Sequence, residues 1–252
     1  MPPGGAAHER TWGMASNRSP NLSGAAARTG RLAARPGLPV EADPARPGIH
    51  RLDLDSERDG LCYVPAGYQP DTPAPLVLLL HGAGGNARHG LAPLQPLADA
   101  AGLILLAPDS RQATWDVIRG GYGPDIAFID AALAATFARY GVDPAHLGIG
   151  GFSDGASYAL SVGLTNGDLF THILAFSPGF LAPAGQHSRP AVFIAHGIHD
   201  TVLPIDRCSR RIVPRLQGAG YEVRYQEFDG PHTVPPEIAR AAVHWFTPLR
   251  AV

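Results

Sequence analysis

The sequence predicts a mostly parallel β-sheet with helices packed on both faces and no large lid domain. Three observations carry this expectation. Short apolar runs alternate along the chain with helix-patterned segments, which is the order a parallel sheet with crossover helices requires. Several of those runs are continuously apolar, as expected of strands buried on both faces. The chain has 252 residues, of which 45% are hydrophobic, enough to bury one core of the larger kind.

Taken in order, the strand candidates are 61–64, 76–80, 103–107, 147–150, 173–176, 191–195 and 222–228. Helices are expected over 125–140, 154–164, 206–216 and 236–246. The first is the clearest, with Ile126, Ile129, Leu133, Phe137 and Tyr140 near one stripe, Pro124 at its start and Gly141 at its end. Residues 1–47 are rich in Pro, Gly, Ala, Ser and Arg without periodicity, and read as a disordered leader before a single domain over 48–252. Met14 is a second possible start.

Composition narrows the function. The formal net charge is −2 and every basic side chain is Arg, so no basic face for nucleic acid is implied. No apolar run approaches the roughly 18 residues that cross a bilayer, and the N-terminal stretch lacks a secretory h-region, so the expected location is the cytoplasm. Cys62 and Cys208 read as separate thiols.

The strongest local signal is Gly151-Phe152-Ser153-Asp154-Gly155, a G-x-S-x-G pattern between a strand and a helix. That context exposes a serine hydroxyl at a helix N-terminus on a strained turn. A glycine-rich turn, His81-Gly82-Ala83-Gly84-Gly85, follows the buried run 76–80. Such a turn can offer a backbone N–H to an oxyanion, with a second from the residue after the nucleophile. Ala83 and Asp154 are the assigned donors, with Gly84 as substitute for Ala83, and His81 is expected to order the loop. Beyond the run 191–195 lies His196-Gly197-Ile198-His199-Asp200. Asp200 is the candidate acid, and Asp206 the rival, read as a helix N-cap. After the last strand, Asp229-Gly230-Pro231-His232 leaves His232 at a loop tip as the candidate base. His196 and His199 could suggest a metal pair, but no third ligand at metal spacing and no HExxH accompany them, so no metal is expected.

These motifs together resemble the α/β-hydrolase superfamily, in its bacterial carboxylesterase/phospholipase branch near acyl-protein thioesterases and polyhydroxybutyrate-depolymerase-like esterases. The resemblance runs from about Gly60 to the C-terminus. It implies an eight-stranded sheet, the eighth strand coming from the leader or from 49–54. It also implies a serine esterase with Ser153 as nucleophile, Asp200 as acid and His232 as base, needing no cofactor. One departure is Asp154, where related thioesterases often carry Gln. The expected substrates are short- to medium-chain or aryl esters, small or polymeric. Phospholipase, thioesterase and polyester depolymerase activities remain open, as does a non-catalytic binding role. The segment 177–190 is too short for a helical lid, so an open site is expected. Trp115 and Tyr122, Phe180 and Leu181, and His81 and Gly82 are candidates for the substrate pocket, with Trp115 either a pocket wall or packing in a surface loop. The oligomeric state, monomer or dimer, stays open.

Overall fold

The computed structural model describes residues 24–39 and 46–247. In chain order the elements are α1 (Gly24–Arg28), β1 (Gly48–Arg51), β2 (Gly60–Val64), β3 (Ala74–Leu80), α2 (Ala87–Leu91), α3 (Gln95–Ala101), β4 (Ile104–Pro108), α4 (Pro124–Arg139), β5 (Val142–Phe152), α5 (Asp154–Thr165), β6 (His172–Phe176), β7 (Ala191–Gly197), α6 (Ser209–Gly218), β8 (Val223–Phe228) and α7 (Pro236–Phe246). The eight strands form one sheet in the order β1-β2-β4-β3-β5-β6-β7-β8. The β1–β2 and β2–β4 pairs are antiparallel and the remaining pairs are parallel. The eighth strand is β1, from the start of the 49–54 run.

The alternation within β3 shows why the sheet is covered twice. Leu76, Leu78 and Leu80 join the core under α4, α5 and α6, while Val77 and Leu79 join the core under α2, α3 and α7. All five are essentially inaccessible to solvent. Each such burial stabilises the fold by about 1.5–3 kcal/mol before conformational entropy is counted.

The helices α2 and α3 are additions to the sequence reading, short and set among Gly90, Pro93 and Pro96. The expected helix 206–216 is shifted. A 3-10 turn over Ile205–Arg207 comes first, and α6 starts at Ser209 without a side-chain cap. Asp206 therefore caps nothing and pairs instead with Arg210 at 2.8 Å, one turn on.

The leader also differs from its composition-based reading where it is described; residues 1–23 and 40–45 lie outside the described residues. Residues 24–39 form an arm docked on α4 and α5. Ala27 and Leu32 are buried in the larger core. Arg31 grips both oxygens of Asp168 at 2.8 Å, and Arg35 adds a third contact at 2.8 Å. The Leu32 N–H donates to Asn166, and the N–H groups of Ala33 and Ala34 donate to Asp130. These polar contacts to distant residues leave no periodic trace in the arm's own sequence. No helix among the described residues is long and apolar enough to cross a membrane.

Candidate active site

Ser153 lies between β5 and α5 with φ 59° and ψ −121°, a backbone conformation that L-residues rarely adopt. Its flanking glycines make the turn possible. A Cβ on Gly155 would sit 2.1 Å from the Leu80 carbonyl oxygen, and one on Gly151 would sit 2.5 Å from the Gly155 backbone. The elbow is thus pressed directly against the end of β3, and Gly82, just beyond that end, abuts Ser153. The sequence positions 80–85 and 151–155 meet for this reason.

Ser153, His232 and Asp200 form one hydrogen-bonded chain. His232 Nε2 is 2.9 Å from Ser153 Oγ, and His232 Nδ1 is 2.5 Å from Asp200 Oδ2. A carboxylate and a hydroxyl bracket the ring, so a neutral imidazole carries its proton on Nδ1 and accepts from the serine. The Phe152 ring packs against the His232 ring at 4.5 Å. Asp200 is buried and its Oδ1 accepts from the N–H groups of Val202 and Leu203 at 2.9 and 2.8 Å. Burial pushes its pKa upward, but the Leu203 N–H and His232 outweigh that and hold it below the ordinary carboxylate value. The rival Asp206 is exposed and engaged with Arg210.

The glycine-rich turn sorts its own donors. The Gly84 N–H is bound to the Ala113 carbonyl at 2.7 Å and the Gly85 N–H to the Gly82 carbonyl at 3.0 Å. The Ala83 N–H has no acceptor among the described residues, whereas that of Gly84 is occupied. Asp154 is the first residue of α5, so its N–H has no partner one turn back. The Asp154 carboxylate accepts from the Thr114 hydroxyl at 2.7 Å, tying the loop after β4 to the elbow.

His81 is buried. Its Nδ1 contacts the Gly82 carbonyl at 2.8 Å and its Nε2 accepts from the Ser110 N–H at 3.0 Å. It holds the turn in place, and burial moves its pKa downward. Trp115, in the loop 110–123, is fully buried, so it is no pocket wall and takes the packing alternative. Its indole N–H donates to the His81 carbonyl at 2.9 Å and its ring stacks on Tyr158 at 5.2 Å, a burial that satisfies its one polar atom. Tyr122 is half-buried and donates to the Ala182 carbonyl at 2.8 Å.

Phe180 and Leu181 are half-buried in the short segment after β6. That segment is held by side chains the sequence reading did not single out. Ser157 accepts from the N–H of Gly179, Ser161 from that of Ala182 and Thr165 from that of Ala184, at 2.9, 2.9 and 3.1 Å. Each hydroxyl donates in turn to the carbonyl four residues before it. The spacing 157, 161, 165 on a buried helix was the available signal. Gly179 lies between Ser157 and Leu203, so the clamped segment runs beside the elbow and the acid loop. Ile198 and Val202 are exposed apolar side chains of that acid loop.

Comparison with known proteins agrees with this geometry. No protein-family model matches the chain. Feruloyl esterase C of Emericella nidulans is 31% identical over 157 residues, which are 59% of this chain and 57% of that protein. Probable feruloyl esterase C of Aspergillus oryzae is 29% identical over 167 residues, 63% of this chain and 60% of that protein. The chain thus spans well under two thirds of the length of these relatives. Among solved structures, esterase PE8 is 27% identical with a TM-score of 0.62, covering 75% of this chain and 98% of that one. A ferulic acid esterase from Anaeromyces mucronatus has the same fold, with a TM-score of 0.62 at 17% identity, covering 86% of this chain and 96% of that one. With this sheet order and elbow the chain has the α/β-hydrolase fold, and it is similar in sequence to feruloyl esterases and in structure to esterases.

Proposed function

We propose that the chain is a serine carboxylic-ester hydrolase that works through an acyl-enzyme on Ser153. The observation that carries this is the continuous chain of hydrogen bonds from Asp200 through His232 to a serine held at positive φ. In the proposed reaction His232 Nε2 takes the Ser153 proton as Oγ attacks the ester carbonyl. The N–H groups of Ala83 and Asp154 hold the oxyanion. His232 returns the proton to the leaving alcohol, and a water deprotonated by the same ring then releases the acid. Asp200 keeps the ring in the Nδ1–H tautomer and stabilises the imidazolium.

The feruloyl esterases among the relatives support an aryl-acid ester as substrate. The clamped segment 178–184 and the exposed Ile198 and Val202 support an open site that takes bulky esters. Cytoplasm is the proposed location, supported by the buried free thiols of Cys62 and Cys208. The test is a hydrolysis profile on p-nitrophenyl acetate, butyrate, octanoate and palmitate together with methyl ferulate. Hydrolysis of short-chain or ferulate esters is the expected result, and a long-chain optimum would replace this substrate class with lipid esters.

A further inference from the structure

His196, the penultimate residue of β7, has no role in the proposed reaction, yet it is completely buried against the acid. Its Nε2 lies 2.8 Å from the Leu203 carbonyl oxygen and 3.1 Å from Asp200 Oδ2. Both are acceptors, so Nε2 carries a proton. Its Nδ1 lies 2.6 Å from Oγ of Ser209, itself fully buried at the start of α6. Burial opposes a second proton on the ring and moves its pKa downward. The arrangement that satisfies every atom is therefore a neutral Nε2–H imidazole accepting from the Ser209 hydroxyl.

Asp200 Oδ2 thus faces two imidazole donors, His232 from one side and His196 from the other. Leu203 closes a ring with them, since its N–H donates to Asp200 Oδ1 while its carbonyl accepts from His196. The other titratable groups nearby are few. Cys208 precedes α6, and Glu227 on β8 stands opposite His196 in the sheet register, with its carboxylate taken by Arg210 and Tyr225.

We infer that His196 is a positioning residue for the acid: its Nε2–H, on a ring oriented by Ser209, fixes Asp200 Oδ2 and shares that oxygen's charge with His232. The inference rests on the Ser153–His232–Asp200 reading. A carboxylate that already receives one hydrogen bond attracts the imidazolium less strongly. Hydrolysis therefore sets in at lower pH than it would with His232 as the sole partner of that oxygen. Loss of the His196 N–H leaves Asp200 more basic and moves the onset of hydrolysis to higher pH.

The experiment measures kcat/KM against pH on p-nitrophenyl acetate for wild type, His196→Leu, His196→Gln, Ser209→Ala and Ser153→Ala. In His196→Leu the acid limb should move up by about half a pH unit, with the plateau lower by about tenfold to a hundredfold from loss of alignment. Ser209→Ala keeps the Nε2–H donor, which the Leu203 carbonyl and Asp200 still demand, but removes the hydroxyl that orients the ring, and should shift the limb the same way by less. His196→Gln restores a donor near Nε2 and should return the limb toward wild type. A lowered plateau with an unmoved limb would assign His196 a packing role and overturn the inference. Should His196→Leu not fold, His196→Phe removes the donor while keeping a ring, and an unmoved limb there overturns it equally. Wild-type hydrolysis that persists in Ser153→Ala is a separate result, and it would overturn the underlying triad reading and this inference with it.

Discussion

Two loops border the candidate site, and they are held by opposite chemistry. The loop 110–123, after β4, is wound around carboxylates. Asp116 accepts from the N–H groups of Gly123 and Asp125 and from the Tyr158 hydroxyl, and Asp125 accepts from the N–H groups of Arg111 and Asp116. The segment 178–184, after β6, lies on the neutral hydroxyls of Ser157, Ser161 and Thr165. Tyr122 joins the two through the Ala182 carbonyl. Both solutions satisfy backbone N–H groups that a loop packed on protein would otherwise leave unpaired. They differ in what they cost. A carboxylate accepts more strongly than a hydroxyl but must be desolvated, so the first loop is coupled to pH and the second is not.

The largest effect should come from cutting the first loop at its centre. Asp116→Ala strands three donors at once, two of them backbone, and should destabilise the protein by about 3–5 kcal/mol. Urea denaturation measures this, and a loss under 1 kcal/mol would show that the carboxylate does not organise the loop.

The pH coupling is the next test. Burial pushes Asp125 up to about 6, with the Asp116 charge adding and the N–H groups of Arg111 and Asp116 opposing. In the unfolded chain the group titrates near its ordinary 3.8. Between these values the folded protein binds a proton that the unfolded chain does not. The group's contribution is therefore most favourable below about pH 4 and is lost as pH rises through 6, by roughly 2–3 kcal/mol. Asp125→Asn should flatten that part of the stability profile between pH 4 and 6, at a fixed cost for one unpaired N–H. An unchanged slope in the variant would remove Asp125 as its source.

The smallest effect belongs to the hydroxyl ladder. Ser161→Ala deprives one N–H of its acceptor and should cost about 1 kcal/mol. That cost should be the same from pH 5 to 8, as followed by thermal melts. A pH-dependent cost would erase the distinction between the loops.

Local patterns made much of this legible in the sequence. The elbow needs two glycines because backbone passes within contact of both, and it needs them at fixed offsets from Ser153. The continuous apolar runs announce strands covered on both faces. The order Ser153, Asp200, His232 follows the C-terminal ends of β5, β7 and β8, which lie along one edge of the sheet. What escaped depends on contacts between residues far apart in sequence. Trp115 reads equally as a pocket wall or as loop packing until Tyr158 and the His81 carbonyl surround it. The arm 24–39 has no periodicity because Asp168, Asn166 and Asp130 hold it from the other side. His196 reads in the sequence only as a flank of the acid loop that could suggest a metal pair with His199, and its contacts come from Asp200, the Leu203 carbonyl and Ser209 on the next helix.

The most direct test of the central claim is labelling with a fluorophosphonate followed by intact-mass and peptide analysis. One adduct per chain on Ser153, absent in Ser153→Ala and slowed by orders of magnitude in Asp200→Asn, is the result this account requires. Labelling at another residue, or undiminished labelling of Ser153→Ala, would contradict it.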